Sequence, residues 1–225
     1  EVTALDFSSE LREPSAPPRV LLASASKDTL VHIFDSTSDY QLAQTSSDHT
    51  AAVTGLCFVS HSTDASACRL VTCSSDKTIA FRMITSAGES IAVSKPLLSS
   101  SPSGRLHALA VTHDGQYSVT ASGDQALKIW DNATGVLKRT IKTDGRAEPV
   151  KVVVDPSDTL MAVCSSDRGI RLYELKTGEL HYKVRGHSEV VTGMTFSSDG
   201  SELVTVSADS CILVWRIGSD LQRVI

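Results

Sequence analysis

The residues with the clearest chemical potential lie near the end of the chain, between His187 and Trp215. His187 follows a glycine in the stretch RGHSEVVTG, and Thr205, Ser207 and Asp209 come before the tryptophan. A hydrolase would use Ser207 or Thr205 as nucleophile, His187 as its base and Asp209 to orient the histidine ring. The alternative is structural, with the same side chains joined in a hydrogen-bonded network that holds a fold together.

The aspartate of this group recurs along the chain, and this favours the structural interpretation. Five similar phrases, among them ASASKDTLVHIFD and VTVSADSCILVWR, each centre on an aspartate, and successive aspartates are 42 to 48 residues apart. These turn aspartates are Asp28, Asp76, Asp124, Asp167 and Asp209. A catalytic site needs one constellation, whereas in-register copies at this period indicate a repeated unit of structure.

Each phrase predicts a β-hairpin, because apolar and polar residues alternate on both sides of a short turn. An apolar strand precedes each hairpin and a more polar one follows it; the predicted fourth strands are YQLAQT, IAVSK, LKRTI, LHYKV and LQRVI. Four antiparallel strands per repeat predict a propeller blade whose first strand lines a central channel. The expected fold is all-β, with five four-stranded antiparallel blades at about 1–50, 51–104, 105–147, 148–188 and 189–225.

These phrases resemble the repeats of the WD-repeat β-propeller family, in which a Gly-His pair precedes a blade and a Trp-Asp pair ends its third strand. Trp130-Asp131 is intact, and the other blades carry altered pairs. The stretches LLASASKDTLVHIFD, DKTIAFR and GHSEVVTGMTFSSDGSELVTVSADSCILVWRI are similar to the second propeller of the mitogen-activated protein kinase-binding protein and centrosomal WD-repeat scaffold family. Arg82, which stands in place of the tryptophan, belongs to that similarity.

The resemblance implies a structural tetrad in blade five. His187 would contact Asp209, and a hydroxyl from Thr205, or otherwise from Ser207, would connect the histidine to the indole N–H of Trp215. The other blades are expected to carry the tetrad incompletely or to lack it.

Blade two has a histidine at position 49, but Asp48 replaces the glycine and Arg82 replaces the tryptophan. Blades three and four lack the histidine. Rings of this family usually close with seven blades, so the resemblance also implies a propeller fragment without about two N-terminal blades. The alternative is an oligomer that closes the ring between chains.

The function implied by the resemblance is that of a non-catalytic protein-interaction scaffold. Its partners would be proteins or peptides of a kinase pathway or the centrosome, and its location the cytoplasm, the centrosome or the spindle pole. The alternatives are a substrate-receptor or trafficking propeller of another WD-repeat family and the hydrolase described above. Loops and faces would carry the binding function.

Two surfaces are candidates for binding. The first consists of residues beside the turn aspartates, where cationic side chains could bind an acidic or phosphorylated peptide; its members are Lys27, Lys77, Gln125 and Arg168. The second consists of the insertions 9–19 and 60–68, which we expect to be neighbours on the face opposite His187. Ordinary solvated charges and tolerated surface insertions are the alternative interpretations.

Amino-acid composition and motifs exclude several other classes of function. The chain has 225 residues, 41% of them hydrophobic, and a formal net charge of -5 with scattered Lys and Arg, which disfavours nucleic-acid binding. Its five cysteines lack C-x-x-C spacing and predict reduced core thiols. No apolar stretch approaches the roughly 20 residues that span a bilayer, and no signal-peptide pattern begins the sequence. Neither a phosphate-binding glycine loop nor a metal-ligand spacing occurs, so no cofactor or metal is predicted.

Overall fold

The computed structural model describes residues 1–12, 18–60, 65–87, 90–101, 103–145 and 147–218, and these residues form five antiparallel β-sheets. Each sheet corresponds to one sequence repeat, and its strands pair in chain order apart from one extra hairpin in the second. The only helical element among the described residues is a 3-10 turn at Ser36–Ser38. The prediction of an all-β repeat fold is confirmed.

The strands of the first three sheets are β1 (Val2–Phe7), β2 (Leu21–Ser26), β3 (Val31–Asp35) and β4 (Gln41–Ser46), then β5 (Val53–Ser60), β6 (Ala67–Ser74), β7 (Thr78–Ala87), β8 (Ser90–Val93) and β9 (Leu97–Ser100), then β10 (Leu106–Val111), β11 (Tyr117–Ser122), β12 (Ala126–Asp131) and β13 (Leu137–Lys142). Those of the last two are β14 (Pro149–Val154), β15 (Leu160–Ser165), β16 (Gly169–Glu174) and β17 (Leu180–Arg185), then β18 (Val191–Phe196), β19 (Glu202–Ser207) and β20 (Ile212–Arg216). We number the corresponding blades one to five. The predicted fourth strand of blade five, LQRVI, lies outside the described residues.

Blade two differs from the prediction at its outer edge. Its third strand, β7, is ten residues long, and its end folds back into a hairpin with β8. The fourth-strand position belongs instead to β9, where Ser100 pairs with Thr78. IAVSK was predicted as the fourth strand, and its residues 91–93 do pair with β7. They pair only with the end of that strand, because β7 continues through Ile84, whose side chain is fully buried in the core between blades one and two.

The first strand of each blade lies innermost. β1 packs on β5, β5 on β10, β10 on β14 and β14 on β18. Residues from all five strands line one cavity of about 240 Å³, which confirms that first strands surround a central channel. Side chains also connect neighbouring blades, since the Thr3 hydroxyl donates to the Val53 carbonyl at 2.6 Å and the Thr54 hydroxyl to that of Leu106 at 2.9 Å.

The two ends of this series of blades expose apolar side chains. Leu5 of β1 is 63% exposed, whereas Leu56, at the same position of β5, is 5% exposed because it packs in the core shared with blade one. At the other end, Ile212 and Val214 of β20 are also exposed. Among the described residues no comparable packing joins β18 to β1. The blades therefore form an open arc, and the expectation of about two further blades stays a prediction.

The insertions of blades one and two lie side by side, as predicted. The backbone N–H of Arg12 donates to the carbonyl of Ala65 at 2.8 Å, and the Ser60 hydroxyl donates to that of Ser9 at 3.0 Å. Leu11 is 1% exposed and packs with the core of blades one and two, so the first insertion is anchored at its beginning. Residues 13–17 and 61–64 of the insertions lie outside the described part of the chain.

Candidate functional site

The structure brings the four tetrad residues of blade five together. Thr205 lies on β19, Trp215 on β20, Asp209 in the turn between them and His187 in the loop that precedes β18. Nδ1 of His187 is 3.0 Å from Oδ2 of Asp209, and Nε2 is 2.8 Å from Oγ1 of Thr205. The indole N–H of Trp215 donates to that same hydroxyl oxygen at 2.9 Å.

The direction of these bonds follows from the ionised carboxylate of Asp209, which can only accept, so Nδ1 of His187 donates to it. In the neutral imidazole Nε2 is then an acceptor, and the Thr205 hydroxyl donates to it while its oxygen accepts from the Trp215 indole. This chain of hydrogen bonds ties the loop before the blade to the turn within it.

Asp209 is further held by backbone donors. Its carboxylate accepts from the N–H of Ser188 and from that of Cys211, both at 2.9 Å. Burial alone would raise the pKa of Asp209, but these two N–H groups and the His187 ring outweigh that effect and lower the pKa to about 2. The carboxylate is therefore ionised and fully engaged at neutral pH.

The glycine before His187 is required by close packing. A Cβ atom at Gly186 would lie 2.6 Å from the Trp215 ring, which is closer than side-chain atoms approach one another. In blade two, where Arg82 replaces the tryptophan, the position of that glycine is occupied by Asp48, and the two side chains form an ion pair. The Gly-Trp contact of blade five is thus exchanged for an Asp-Arg contact in blade two.

The hydrolase alternative finds little support in this geometry. The Ser207 hydroxyl donates to the backbone carbonyls of Glu189 and Val190 at 3.1 and 3.0 Å, and no hydrogen bond joins it to His187. Thr205 does hydrogen-bond to His187, but it has no exposed surface, so its hydroxyl is inaccessible to a substrate. A nucleophile has to reach the group that it attacks.

Blade three holds its turn aspartate with a lysine. The ammonium of Lys128, on β12, lies 2.8 Å from Oδ2 of Asp124 and donates to the hydroxyls of Ser101 at 2.6 Å and Ser122 at 3.0 Å. It also donates to the carbonyl of Ser103, in the loop before β10. Lys128 is fully buried. Burial would raise the pKa of Asp124, but the hydrogen bonds from Lys128 and two serines outweigh it and lower that pKa.

Blade four uses an arginine at the same position. Arg171, on β16, forms a bidentate pair with Asp167 at 2.9 and 2.7 Å and is 1% exposed. Hydrogen bonds from Arg171 lower the pKa of Asp167 well below its usual value. The absence of the histidine from these blades was expected from the sequence, but the cation that replaces it was not predicted. The signal was present, since each cation follows its turn aspartate by four residues.

Blade two holds its turn aspartate with a backbone N–H group and a threonine hydroxyl. In blade two, Asp76 accepts from the backbone N–H of Thr50 at 2.7 Å and from the Thr78 hydroxyl. His49 contacts the hydroxyls of Thr72 and Thr78, both at 2.8 Å, while its ring is 3.5 Å from Asp76. Burial lowers the pKa of His49. The network of blade two therefore contains the histidine but passes through a second threonine.

In blade one, Asp28 is left without a cationic partner among the described residues. Its carboxylate accepts from the backbone N–H of Leu30 at 3.1 Å, which lowers the pKa of Asp28. The neighbouring Lys27 pairs with Glu1 instead, at 2.6 Å.

The other candidate binding residues occupy a shared position in their blades. Lys77, Gln125 and Arg168 each follow a turn aspartate and have left-handed backbone angles, with φ of 73°, 62° and 64°. Lys27 precedes its aspartate, so it does not belong to the same row. The guanidinium of Arg168 donates to the backbone carbonyl of Ser188, which joins blades four and five. That these residues bind a peptide stays a prediction.

The described residues form neither a metal site nor a site with a reactive thiol among Cys57, Cys68 and Cys73. No group of three His, Cys, Asp or Glu side chains there could hold a metal ion. Burial raises the pKa of the thiols of Cys57, Cys68 and Cys73 to about 12, so these cysteines are poor nucleophiles. The described residues also contain no helix that is long and apolar enough to cross a membrane.

Comparison with known proteins identifies the family to which these repeats are similar. The WD domain, G-beta repeat family matches residues 40–81, 95–131 and 178–216, which is more than half of the chain. Residues 132–177, which contain the first three strands of blade four and Arg171, lie outside the match. WD repeat-containing protein 62 of Mus musculus is 33% identical over 203 residues, which cover 89% of this chain and 13% of that protein.

Further relatives show the same pattern. Mitogen-activated protein kinase-binding protein 1 of Homo sapiens is 33% identical over 89% of this chain and 13% of its own length. The U3 small nucleolar RNA-associated protein 21 homolog of Schizosaccharomyces pombe is 35% identical over 44% of this chain and 11% of its own length. The chain thus spans only a small part of these relatives. The repeated hairpins, the turn aspartates and these matches together show that the chain belongs to the WD40 repeat family.

Proposed function

We propose that this chain is a protein-interaction module of an intracellular scaffold and performs no chemistry of its own. WD40 repeat proteins are generally protein-interaction scaffolds, and the family is typically non-catalytic. The observation that carries the proposal is the burial of Thr205, whose hydroxyl is hydrogen-bonded to the His187 ring. Since the most reactive constellation is used for structure, function is left to the surfaces.

The proposed partners are proteins or peptides of a kinase pathway. One relative is named for binding a mitogen-activated protein kinase, and it matches most of this chain. The sequence resemblance also supports a cytoplasmic location and an association with the centrosome or spindle pole. A substrate-receptor or trafficking role, as in other WD-repeat families, is the alternative within the binding class.

The test is direct binding in parallel with an activity assay. Purified protein is titrated against a panel of mitogen-activated protein kinases and against unrelated kinases, with binding followed by biolayer interferometry. We expect saturable binding of at least one member of the pathway and no turnover of generic ester or phosphate substrates. Saturable hydrolysis that is lost in Ser207→Ala or Thr205→Ala without a change in melting temperature would contradict the proposal. Equal binding of all kinases would contradict the pathway assignment alone.

A further inference from the structure

Blades three and four are separated by an open cavity of about 580 Å³. It lies at the end of the blades opposite the turn aspartates, among the turns that join first to second and third to fourth strands. Tyr117, Ile129 and Leu175 give it an apolar floor. Its volume falls within the range of about 300–1,000 Å³ that is usual for ligand pockets.

Three cationic side chains surround this floor. Lys138 and Arg139 come from β13 of blade three, and Lys176 comes from a turn of blade four. Lys138 pairs with Asp131 at 3.2 Å. The guanidinium of Arg139 donates to the backbone carbonyl of Lys176, and neither Arg139 nor Lys176 forms an ion pair with a described carboxylate. Both cations therefore remain available to an anionic ligand.

The two acidic side chains of the cavity are engaged. Asp158 accepts from the backbone N–H groups of His113 and Asp114 at 2.7 and 2.9 Å, which fastens blade four to blade three. Asp114 accepts from the Thr112 hydroxyl at 2.6 Å and from the N–H of Gln116 at 2.8 Å. Neutral backbone and hydroxyl donors hold both carboxylates at the blade junction without cancelling their charge. The three cationic and two acidic side chains of the lining still leave a small excess of positive charge, although the whole chain has a formal charge of -5.

The equivalent groove between blades two and three differs in these respects. Its volume is about 310 Å³, and its one cationic residue is Arg69. Two carboxylates, those of Asp114 and Asp131, also line that groove, so its acidic side chains outnumber its cation. The larger space and the excess of cationic over acidic side chains therefore distinguish the cavity between blades three and four from its neighbour.

We infer that this cavity binds a short acidic peptide segment of a partner protein, with one aliphatic or aromatic side chain on the floor. The carboxylates of the segment would pair with Arg139 and Lys176 in charge-assisted hydrogen bonds, and its apolar side chain would cover Tyr117 and Leu175. The inference rests on the proposed function and specifies a surface for it, on the opposite face from Lys77, Gln125 and Arg168.

The test uses a phage-displayed library of random peptides, selected on the immobilised protein. The selected peptides are then synthesised with a fluorophore, and their affinities are measured by fluorescence anisotropy for the wild type, Arg139→Glu, Lys176→Glu and Lys142→Glu. Lys142 is the matched control, because it is an exposed cation on the same strand as Arg139 but outside the cavity. Thermal melting of each variant verifies its folding.

We expect the selected peptides to combine acidic residues with an aliphatic or aromatic residue. Arg139→Glu and Lys176→Glu should each weaken their binding by about tenfold or more, and Lys142→Glu by less than about twofold. Equal losses in all three variants, selected peptides without acidic residues, or no selection at all would overturn the inference. If kinase binding persists in any of those cases, the proposed function stands and only this site fails; if both are absent, the proposed function fails as well.

Discussion

Blades three and five hold their equivalent turn aspartates, Asp124 and Asp209, in different ways. In blade five its partner, His187, comes from the loop before the sheet, whereas in blade three the partner, Lys128, lies within the sheet on β12. Lys128 also bonds to Ser101 and Ser103 of the loop before its sheet. Both arrangements therefore tie a loop to a turn. The comparison teaches that this tie can be made by more than one type of residue, while among the described residues blade one has no equivalent of it.

The two ties differ in physical character. The tie of blade three is a buried ion pair, in which removal of one member leaves an uncompensated charge. The tie of blade five is a chain of hydrogen bonds that runs through a histidine ring and ends at an indole. We therefore expect the loss of a partner to be more costly in blade three than in blade five.

The largest effect is expected for Asp124→Asn, which leaves the Lys128 ammonium buried without a carboxylate. The loss should be about 3 kcal/mol, at the low end for buried pairs because the Asp124 side chain is 21% exposed. The measurement is urea-induced unfolding followed by circular dichroism.

The control for this substitution is the double variant Asp124→Asn/Lys128→Met, which removes the stranded charge. It should recover part of the lost stability. A double variant that is as unstable as the sum of its single changes would show that the pair is not coupled, and the contrast between the blades would then fail.

The next effect concerns His187→Ala, which breaks the network of blade five at its centre. We expect a loss of about 1–3 kcal/mol, because the Thr205 hydroxyl and the Asp209 carboxylate lose their shared partner. Trp215→Phe should have a smaller or similar effect. In the double variant the losses should be clearly less than additive, since both changes disrupt one network. Strict additivity in denaturant unfolding would mean that the four residues do not act together.

A smaller effect is expected for the dependence of stability on pH, to which the turn aspartates contribute. The folded-state pKa of Asp209 is lowered from 3.8 to about 2, so its contribution to stability is complete above about pH 4 and is lost as pH falls towards 2. The melting temperature of the wild type should therefore fall in this window, and it should fall less steeply in Asp209→Asn. The remaining slope belongs to the other carboxylates whose pKa values are lowered, among them Asp124, Asp167 and Asp199. An unchanged slope in the variant would contradict the assignment.

The smallest effect is expected for Ser207→Ala. Its hydroxyl donates to the backbone carbonyls of Glu189 and Val190 and accepts from the backbone N–H of Asp209 at 3.3 Å, and it does not contact the His187 ring. Because these are single bonds to backbone groups near the surface of blade five, stability should change by less than about 1 kcal/mol. Differential scanning calorimetry checks the stability. A loss as large as that of His187→Ala would show that Ser207 belongs to the network.

Much of the fold could be predicted from the sequence because the repeat carries its own register. The turn aspartates located every central hairpin, and the Gly-His and Trp positions of blade five indicated which side chains would meet. The Gly186-Trp215 contact explains why this signal is strong, since nothing larger than glycine fits against the indole. Local steric requirements of this kind leave a recognisable pattern of residues.

The buried cations were not predicted, and the reason is physical. A lysine or arginine in an alternating strand is normally expected to face solvent, yet Lys128 and Arg171 are almost completely buried. Their burial depends on the aspartate four residues earlier, in the hairpin turn, and on groups in a preceding loop. The alternation of residues along a strand does not show either dependence. The position of β9 was missed for a similar reason, because it depends on how far β7 extends.

The packing of each blade on its sequence neighbours affects how the molecule unfolds. In such a linear array each blade is stabilised by its contacts with its neighbours, and a terminal blade has only one neighbour. The terminal blades should therefore open before the central ones. The chain contains two tryptophans, and they lie in different blades: Trp130 in the middle of the array and Trp215 at its end. Each indole is therefore an intrinsic optical reporter of its own blade. With rising temperature, fluorescence from Trp215 should change before that from Trp130, and unfolding will be recorded as two transitions.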